Sequence, residues 1–313
     1  MGNIPACHSI GELIATLRKD AGITLRALAQ GICSHTNLTK IEAGVIKAHM
    51  HYVVPLLERL GRDPELYCNF FLNRDDFESN DLRDEIERDI YDAKYEDAAT
   101  KLKNLKKYKS YGSKANLFFV KRMELSLYAS AHDISHDEMV NRSIEVMQTA
   151  WPDYNENEIY RQPLSFDEVA VVSRIAYHCM EAGKLKRASA IYEALIINYK
   201  DRCVDEEYLA GSYASDIVNL SACYGRMESR IEAMRVIEEG LLFCKTHNRF
   251  VDQFLLLANK GFNLNKRGES DLSLAHYALC FYAASLFNGG HETRAVRIAK
   301  QRAFELHKTH FTF

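Results

Sequence analysis

Five polar side chains point outward from a short predicted helix in the segment GICSHTNLTKIEAG, between Gly31 and Gly44. Helical spacing turns the apolar residues of this segment inward and leaves His35, Thr36, Asn37, Thr39 and Lys40 facing outward. Asparagine can bond bidentately to adenine, threonine can contact a thymine methyl group or a phosphate, and lysine and histidine can reach phosphates or guanine. The residue types therefore suit the major groove of DNA.

Two short helices joined by a turn are needed to position this face. We predict a first helix over 25–30 and a recognition helix over 35–43, with the turn at Gly31. Ser9, Thr24 and Ser34 are expected to cap helices, and Thr24 and Arg26 are further candidate DNA contacts at the start of the first helix. The apolar set that packs the pair is Ile23, Leu28, Ala29, Ile32, Leu38 and Ile41.

The charge balance makes any contact with DNA local. The chain carries a formal net charge of −3, and residues 1–65 hold seven Lys or Arg against six Asp or Glu. Because phosphate neutralisation supplies much of the affinity for DNA, a single near-neutral head is expected to bind weakly. We therefore predict a homodimer that places two heads on double-stranded operator DNA.

The rest of the 313 residues is predicted to be all-α. Only five prolines interrupt the chain, apolar residues recur at helical spacing, and there is no hairpin signal. A turn followed by a new helix start at 60–67 places the domain boundary after residue 68, giving a five-helix head over 1–68 and a second domain over 69–313. Helices are expected at 81–93, 95–109, 114–132, 135–151, 165–182, 184–199, 205–225, 228–246, 248–267, 271–287 and 291–308.

These later helices pair up with small residues at matched positions. The segments SRIAYHCMEAGKLKRASAIYEAL and VNLSACYGRMESRIEAMRVIEEGL resemble the tetratricopeptide repeat, and LLANKGFNLNKRGESDLSLAHYAL is a looser copy. The matched alanines, Ala188, Ala233 and Ala275, are spaced more widely than in the standard repeat. The resemblance implies a right-handed superhelical array with a concave binding face, and the alternative is an irregular helical bundle.

The N-terminal stretch IGELIATLRKDAGITLRALAQGICSHTNLTKIEAG resembles the Xre/Cro family of DNA-binding domains over about 65 residues. Its Leu-Arg-Lys run and its Lys-Ile-Glu-x-Gly ending carry the likeness, and Leu25 departs from it because the family usually has glutamine there. With the array that follows, the chain resembles the Rgg, PlcR and PrgX group of peptide-pheromone receptors. That resemblance implies a cytoplasmic homodimeric quorum-sensing transcription regulator switched by a short signalling peptide.

Candidate peptide contacts lie on the first helices of the repeats. Asparagine side chains can satisfy both the donors and the acceptors of an extended peptide backbone, which favours Asn219, Asn259 and Asn263. Arg174, Tyr177, Tyr213 and Arg226 could supply a carboxylate partner and apolar walls. The alternative, for these four residues and for the three asparagines, is that they only pack or face solvent. The second hypothesis for the whole chain is an interaction protein of the phosphatase or antiactivator kind, whose head does not read DNA.

Other function classes find little support in the sequence. It contains no GxxxxGK[ST], GxSxG, HExxH or GxGxxG motif, so we expect neither an enzyme nor a bound cofactor. The cluster HDISHDEM at 132–139 could hold a metal, but Ser135 with Glu138 is better interpreted as a helix start, and no metal is expected. The eight cysteines form no CxxC pair and are expected to be buried free thiols. No segment is apolar enough to span a membrane.

Overall fold

The computed structural model describes residues 9–64, 74–108, 114–202, 206–287 and 292–312, and all its regular elements are helical. One 3₁₀ helix spans Glu156–Arg161. The α-helices are α1 Ile10–Asp20, α2 Leu25–Ala29, α3 His35–Glu42, α4 Met50–Arg59, α5 Arg74–Tyr91, α6 Tyr95–Leu105, α7 Lys114–Ala131, α8 His136–Ala150, α9 Phe166–Glu181, α10 Leu185–Arg202, α11 Glu206–Arg226, α12 Arg230–Thr246, α13 Phe250–Lys266, α14 Ser270–Phe287 and α15 Arg294–His307. The all-α prediction is confirmed.

Helix starts in the head follow the predicted capping chemistry. The side-chain oxygens of Ser9, Thr24 and Ser34 each accept a hydrogen bond from the backbone N–H three residues later. Such a bond satisfies one of the N–H groups that a helix leaves unpaired at its start. A buried apolar cluster formed by α1 to α4 lies beneath these caps. The fifth helix predicted for the head starts within 60–67, and the residues from 65 onward that it would include lie outside the described residues.

The crossing of α1 and α3 depends on a glycine. A Cβ atom placed on Gly11 would lie 1.9 Å from the carbonyl oxygen of Ile41. No side chain fits at that distance, so the first helix can approach the recognition helix closely only because this residue is glycine. The position of α3 is therefore fixed by backbone contact as well as by apolar packing.

A three-residue turn of one geometry joins five pairs of consecutive helices in the described part of the chain. Each connection has three residues, and its middle residue is left-handed: Ala93, Gly183, Glu228, Asn248 and Gly268. In each, the next N–H bonds to the carbonyl five residues earlier, as in Lys184 to Cys179 and Ser229 to Tyr224. This is the helix-ending geometry that returns the chain sharply into a new helix. The helix-pair repeats therefore share a backbone device as well as a residue pattern.

The shared turn shows that one of the three predicted alanine packing positions is misplaced. Ala188 and Ala233 are both fully buried, and each lies five residues after the left-handed residue of its turn. Counting five from Gly268 gives Ser273, which is also fully buried, whereas Ala275 is exposed. The prediction that Ala275 is the third packing position is therefore wrong, because the turn sets the register and the small residue there is serine.

The chain divides into two compact units. The first comprises Met1–His178 with Ile197–Tyr208, and the second comprises Cys179–Ile196 with Leu209–Phe313. The head thus shares a unit with α5 to α8 and most of α9. Besides the head cluster, the first unit has a core between α5, α6 and α7, and the second has one between α13, α14 and α15. The predicted boundary at residue 68 falls outside the described residues and remains a prediction.

The structure also bears on the 132–139 segment, the cysteines and the prediction that no helix spans a membrane. The Ser135 hydroxyl accepts from the N–H of Glu138, so it caps α8, while the Glu138 carboxylate pairs with Arg142 instead of completing a capping box. No group of three metal-binding side chains occurs in the described part of the chain. The five cysteines that it includes are free and buried, and Cys7, Cys68 and Cys203 fall outside it. The described part of the chain holds no helix with the length and hydropathy that a membrane span requires.

Candidate DNA-binding face and peptide-binding residues

The recognition helix presents the predicted polar face. His35, Thr36, Thr39 and Lys40 are exposed, and Asn37 is half-buried, while Leu38 and Ile41 on the opposite side are buried. The Thr39 hydroxyl donates to the carbonyl of His35 within the helix. Thr24 and Arg26 are also exposed, on and beside the cap of α2. The structure thus brings the seven predicted DNA-contacting residues to α3 and to the start of α2.

An ion pair braces the recognition helix from behind. The guanidinium of Arg18 on α1 donates from Nε and Nη2 to the two carboxylate oxygens of Glu42, at 2.6 and 2.7 Å. Its Nη1 also donates to the carbonyl oxygen of Ile23 at 3.1 Å. The partners are those of a bidentate pair, which fixes orientation as well as distance. Arg18 therefore holds α3 in place and is not available to bind phosphate.

A second arginine fastens the head to the helices that follow. Arg59 is fully buried; it donates to both carboxylate oxygens of Glu168 on α9, at 2.5 and 3.2 Å, and to the carbonyl oxygen of Leu28 at 2.8 Å. Its guanidinium carbon lies 4.6 Å from the ring centroid of Trp151. Glu168 in turn accepts from Trp151 Nε1 and from the N–H of Ser165. The ends of α2, α4, α8 and α9 meet at this one buried ion pair.

The turn between α2 and α3 also packs against the repeats. Gly31 has φ +71°, and a Cβ atom on it would lie 2.6 Å from the Cα atom of Ala150, the last residue of α8. The amide of Gln30 donates to the carbonyl oxygen of the same alanine at 3.2 Å. The helix-turn-helix is therefore held on its turn side by protein, while the outward face of α3 stays exposed.

Four exposed Lys and Arg side chains remain on the described part of the head. Arg18 and Arg59 pair with Glu42 and Glu168, so neither contributes positive charge for binding phosphate. The remaining exposed cations, called here the head cations, are Lys19, Arg26, Lys40 and Lys47. Two of them, Arg26 and Lys40, belong to the predicted DNA-contacting set.

Arg174 is an arginine without a carboxylate partner among the described residues. Its Nη2 donates to the Ser126 hydroxyl at 2.8 Å, and its Nη1 is buried with no hydrogen-bond partner. Burial, followed by repulsion from Arg122, lowers the pKa of Arg174 to about 10. Arg122 differs because Glu87 and Asp167 both pair with it. A cation in this state favours an incoming carboxylate.

The end of α9 adds aromatic and imidazole groups near Arg174. Tyr177 is half-buried and contacts the ring of His178 edge-on, with centroids 5.2 Å apart. His178 shares a 2.9 Å hydrogen bond between Nδ1 atoms with His136 on α8. Burial, then the charges of His136 and Arg174, lowers the pKa of His178 to about 4. The imidazole pair was not predicted, because the two histidines are 42 residues apart in sequence.

The candidate asparagines of the second unit differ in availability. Asn219 on α11 is half-buried and its side chain has no hydrogen bond to any described residue. Asn259 on α13 donates through Nδ2 to the Val218 carbonyl at 3.0 Å and the Ser221 hydroxyl at 2.7 Å. Asn263 is only 1% exposed and donates to the backbone of Asn259. The Asn219 amide is thus not engaged by any described residue, while Asn263 lies against Gly225 of α11.

The other two candidates in the second unit already have partners. The Tyr213 hydroxyl donates to Glu239 at 3.0 Å, and its ring packs against Phe243 with centroids 4.3 Å apart. Arg226 is exposed and donates to Glu181 at 3.2 Å. Both arrangements fit the packing and solvent-facing interpretation. Arg174 and Tyr177 belong to the first unit, and the remaining five candidates belong to the second.

Three solved structures share the fold over nearly the whole chain. The complex of Bacillus thuringiensis PlcR with the peptide PapR7 and DNA has a TM-score of 0.52 at 14% identity, covering 92% of this chain and 100% of PlcR. ComR from S. thermophilus, with DNA and its signalling peptide ComS, has a TM-score of 0.50 at 14% identity, covering 95% and 99%. Apo ComR, the competence regulator from Streptococcus vestibularis, has a TM-score of 0.52 at 13% identity, covering 95% and 97%.

Identity this low establishes the fold alone. The class is a helix-turn-helix head followed by tetratricopeptide-like helix pairs, as the sequence predicted. More particularly, the chain has the architecture of PlcR and ComR, which confirms the resemblance to peptide-pheromone receptors at the level of fold. No protein-family model and no curated protein sequence matches it.

Proposed function

We propose that this protein is a transcription regulator that binds operator DNA as a homodimer and is switched by a short linear peptide bound in its helical repeats. One observation carries the proposal: the exposed polar face of α3 stands on a helix-turn-helix that Arg18, Glu42 and Gly11 fix from behind. Reading bases requires such a rigid helix with its polar side chains uncovered. The likeness to PlcR and ComR, solved with DNA and signalling peptides, supports it.

DNA binding is tested by a mobility-shift titration on DNA from around the protein's own gene. We expect a specific shift that is lost in the Asn37→Ala, Lys40→Ala double variant, because these residues supply a base contact and a phosphate contact. The matched control is Lys245→Ala, which removes an exposed lysine from α12. An unchanged shift in the double variant would overturn the assignment of α3 as the reading helix.

The proposed peptide contacts are argued separately in the two units. In the second unit, Asn219 offers an unused amide donor and acceptor, and Asn259 retains its carbonyl oxygen. In the first unit, Arg174 offers an unpaired nitrogen that suits a carboxylate, with Tyr177 nearby in sequence as an apolar wall. Tyr213, Arg226 and Asn263 are proposed to shape the surroundings of the peptide through the contacts that they already make.

The role of Arg174 predicts a particular preference among peptides. Peptides encoded beside the gene should bind more tightly with a free C-terminal carboxylate than with an amidated end, and Arg174→Gln should abolish that difference. Arg235→Gln, an exposed arginine on α12, is the control. If wild-type protein binds both forms equally, Arg174 does not receive the carboxylate.

A protein-interaction role without DNA reading is the second candidate. The observation that favours it is the small number of head cations, because two of the seven basic residues in 1–65 are consumed by internal ion pairs. The absence of a shift at low salt, with and without peptide, would favour this role. Under either role we propose a non-enzymatic protein that acts in the cytoplasm.

A further inference from the structure

Helix α14 has an apolar stripe on the side opposite to its core face. The core face, which includes Ser273, Tyr277 and Phe281, packs inside the second unit. The stripe, called here the α14 stripe, follows alternating spacings of three and four residues and consists of Leu272, Ala275, Leu279, Tyr282 and Leu286. All five are exposed, with Leu279 at 53% and Leu286 at 70%. Alternating three and four is the spacing by which two helices pack along a shared seam.

Further apolar side chains extend the surface at one end. Phe287 is exposed, and its ring lies 5.2 Å from that of Phe250 on α13, next to the exposed Val251. Half-exposed side chains of this size leave roughly 100 Å² each in contact with water. The seven large residues together therefore present roughly 700 Å², close to the ~800 Å² that each partner contributes to a stable interface.

Charge indicates what covers the stripe. Residues 272–287 contain no Asp, Glu, Lys or Arg. Where two identical surfaces meet about a twofold axis, a charge near the axis meets its own like charge, so an uncharged surface is suited to self-association. A different protein partner would ordinarily be selected by complementary charges, which this surface does not provide.

The order of side-chain sizes along the stripe is also self-complementary. If two α14 helices cross antiparallel with the twofold axis at Leu279, then Leu272 of one copy meets Leu286 of the other. The small Ala275 then faces the region of the large Tyr282. Large against small is the arrangement that fills a helix interface without voids.

We propose that the α14 stripe is the surface by which two copies of this chain associate, antiparallel about an axis at Leu279. This inference rests on the homodimer in the proposed function and identifies the surface that makes it. It assigns no role in DNA or peptide binding to the stripe itself. The stripe would join the repeats and leave each head attached through its own Arg59.

Disulfide trapping tests the axis directly. In full-length protein with Cys7, Cys68 and Cys203 changed to Ser, Leu279→Cys should form a covalent dimer on mild oxidation, because residue 279 faces its own copy. Leu242→Cys, at a position 68% exposed on α12, is the control and should remain monomeric on a denaturing gel. The neighbouring Cys280 should stay reduced, because burial raises the pKa of its thiol to about 12. Equal trapping at 242 and 279, or none at 279, would overturn the proposal.

Sedimentation equilibrium supplies the second test and separates the two proposals. We expect Leu279→Glu to weaken dimerisation by at least about 30-fold, as for a central hot-spot residue, with a circular dichroism spectrum unchanged from that of the wild type. Mixing it with Leu279→Lys should restore the dimer, since opposite charges would then meet at the axis. A wild-type monomer, or a Leu279→Glu variant that dimerises normally, refutes the surface. If the wild-type protein dimerises but does not bind DNA, the proposed function is refuted while the dimer surface stands.

Discussion

Replacing the carboxylate of Glu168 by an amide tests how firmly the head is fastened to the repeats. Both oxygens of Glu168 accept hydrogen bonds: one from Arg59 and Trp151 Nε1, the other from Arg59 and the Ser165 N–H. A glutamine would have the same shape, but its NH₂ group would face N–H donors in either orientation. The variant would also leave the buried guanidinium of Arg59 without an opposite charge.

The expected cost follows from that geometry. Removing one partner of a buried ion pair typically destabilises a protein by ~3–5 kcal/mol, because the remaining charge is left uncompensated. For a unit of this size, each kcal/mol lowers the melting temperature by about 2–4 °C, so Glu168→Gln should lower it by roughly 6–20 °C. That is a large share of the ~5–15 kcal/mol by which folded proteins are stable.

The assay can be read at the site itself, because Trp151 is the only tryptophan and it lies against Arg59. Thermal and urea unfolding followed by Trp151 fluorescence report on the first unit, and circular dichroism reports on both units. Glu269→Gln, which breaks the exposed ion pair with Arg267, is the control and should cost at most ~1 kcal/mol.

A double variant separates the cost of an unpaired charge from a loss of packing. In Arg59→Met, Glu168→Met, both charges are gone and apolar volume fills the site, so stability should exceed that of Glu168→Gln alone. If Glu168→Gln costs less than about 1 kcal/mol and leaves Trp151 fluorescence unchanged, the ion pair does not fasten the head. If the double variant is no more stable than the single variant, the reasoning from charge is refuted.

Three further perturbations follow from the geometry. Gly11→Ala should destabilise the head by ~1–3 kcal/mol or more and abolish the DNA shift, because the new Cβ atom meets the Ile41 carbonyl; an unchanged melting curve would contradict this. NMR titration should find His178 neutral down to about pH 4. Since this pKa is below the ordinary 6.5, its contribution to stability is present above pH 6.5 and lost as pH falls from 6.5 towards 4; a titration near 6.5 would refute the burial argument. With four head cations in each copy, log K for a dimer should fall with log salt at a slope no steeper than about −7, and a steeper slope would require other basic residues.

Local chemistry explains why the helices could be predicted. Caps such as Ser34, and the spacing of residues such as Leu38 and Ile41, act within a few residues, so their effect can be recognised without the fold. The register of the repeats was harder, because Glu228, Asn248 and Ala93 adopt the left-handed turn conformation that glycine signals elsewhere. A turn without glycine carries little sequence signal, so the turn at Glu228 did not show that Ala233 lies five residues after a left-handed residue, a spacing that would have pointed from Gly268 to Ser273.

The candidate peptide contacts could not be ranked from residue type, because their availability depends on neighbours that are distant in sequence. Asn219 and Asn263 both occupy first helices of the repeats, and residue type alone cannot distinguish an amide that is available from one that packs against a neighbouring helix. Burial separates them, since Asn263 is enclosed while Asn219 is not. Arg174 likewise becomes distinctive only once its neighbours are known, because Glu87 and Asp167 pair with Arg122, while no described carboxylate pairs with Arg174.

The internal ion pairs of Arg18 and Arg59 lower the positive charge that one head can offer to DNA, which favours a dimer with two heads. A count of charges treats both as cations that could meet phosphate, but each guanidinium pairs with a carboxylate at least 24 residues away in sequence. What they supply is rigidity: one braces α3 and the other holds the end of α2. A head with four exposed cations gains too little from counterion release to hold an operator alone at physiological salt. Affinity must then come from joining two rigid heads, and the α14 stripe would provide that connection.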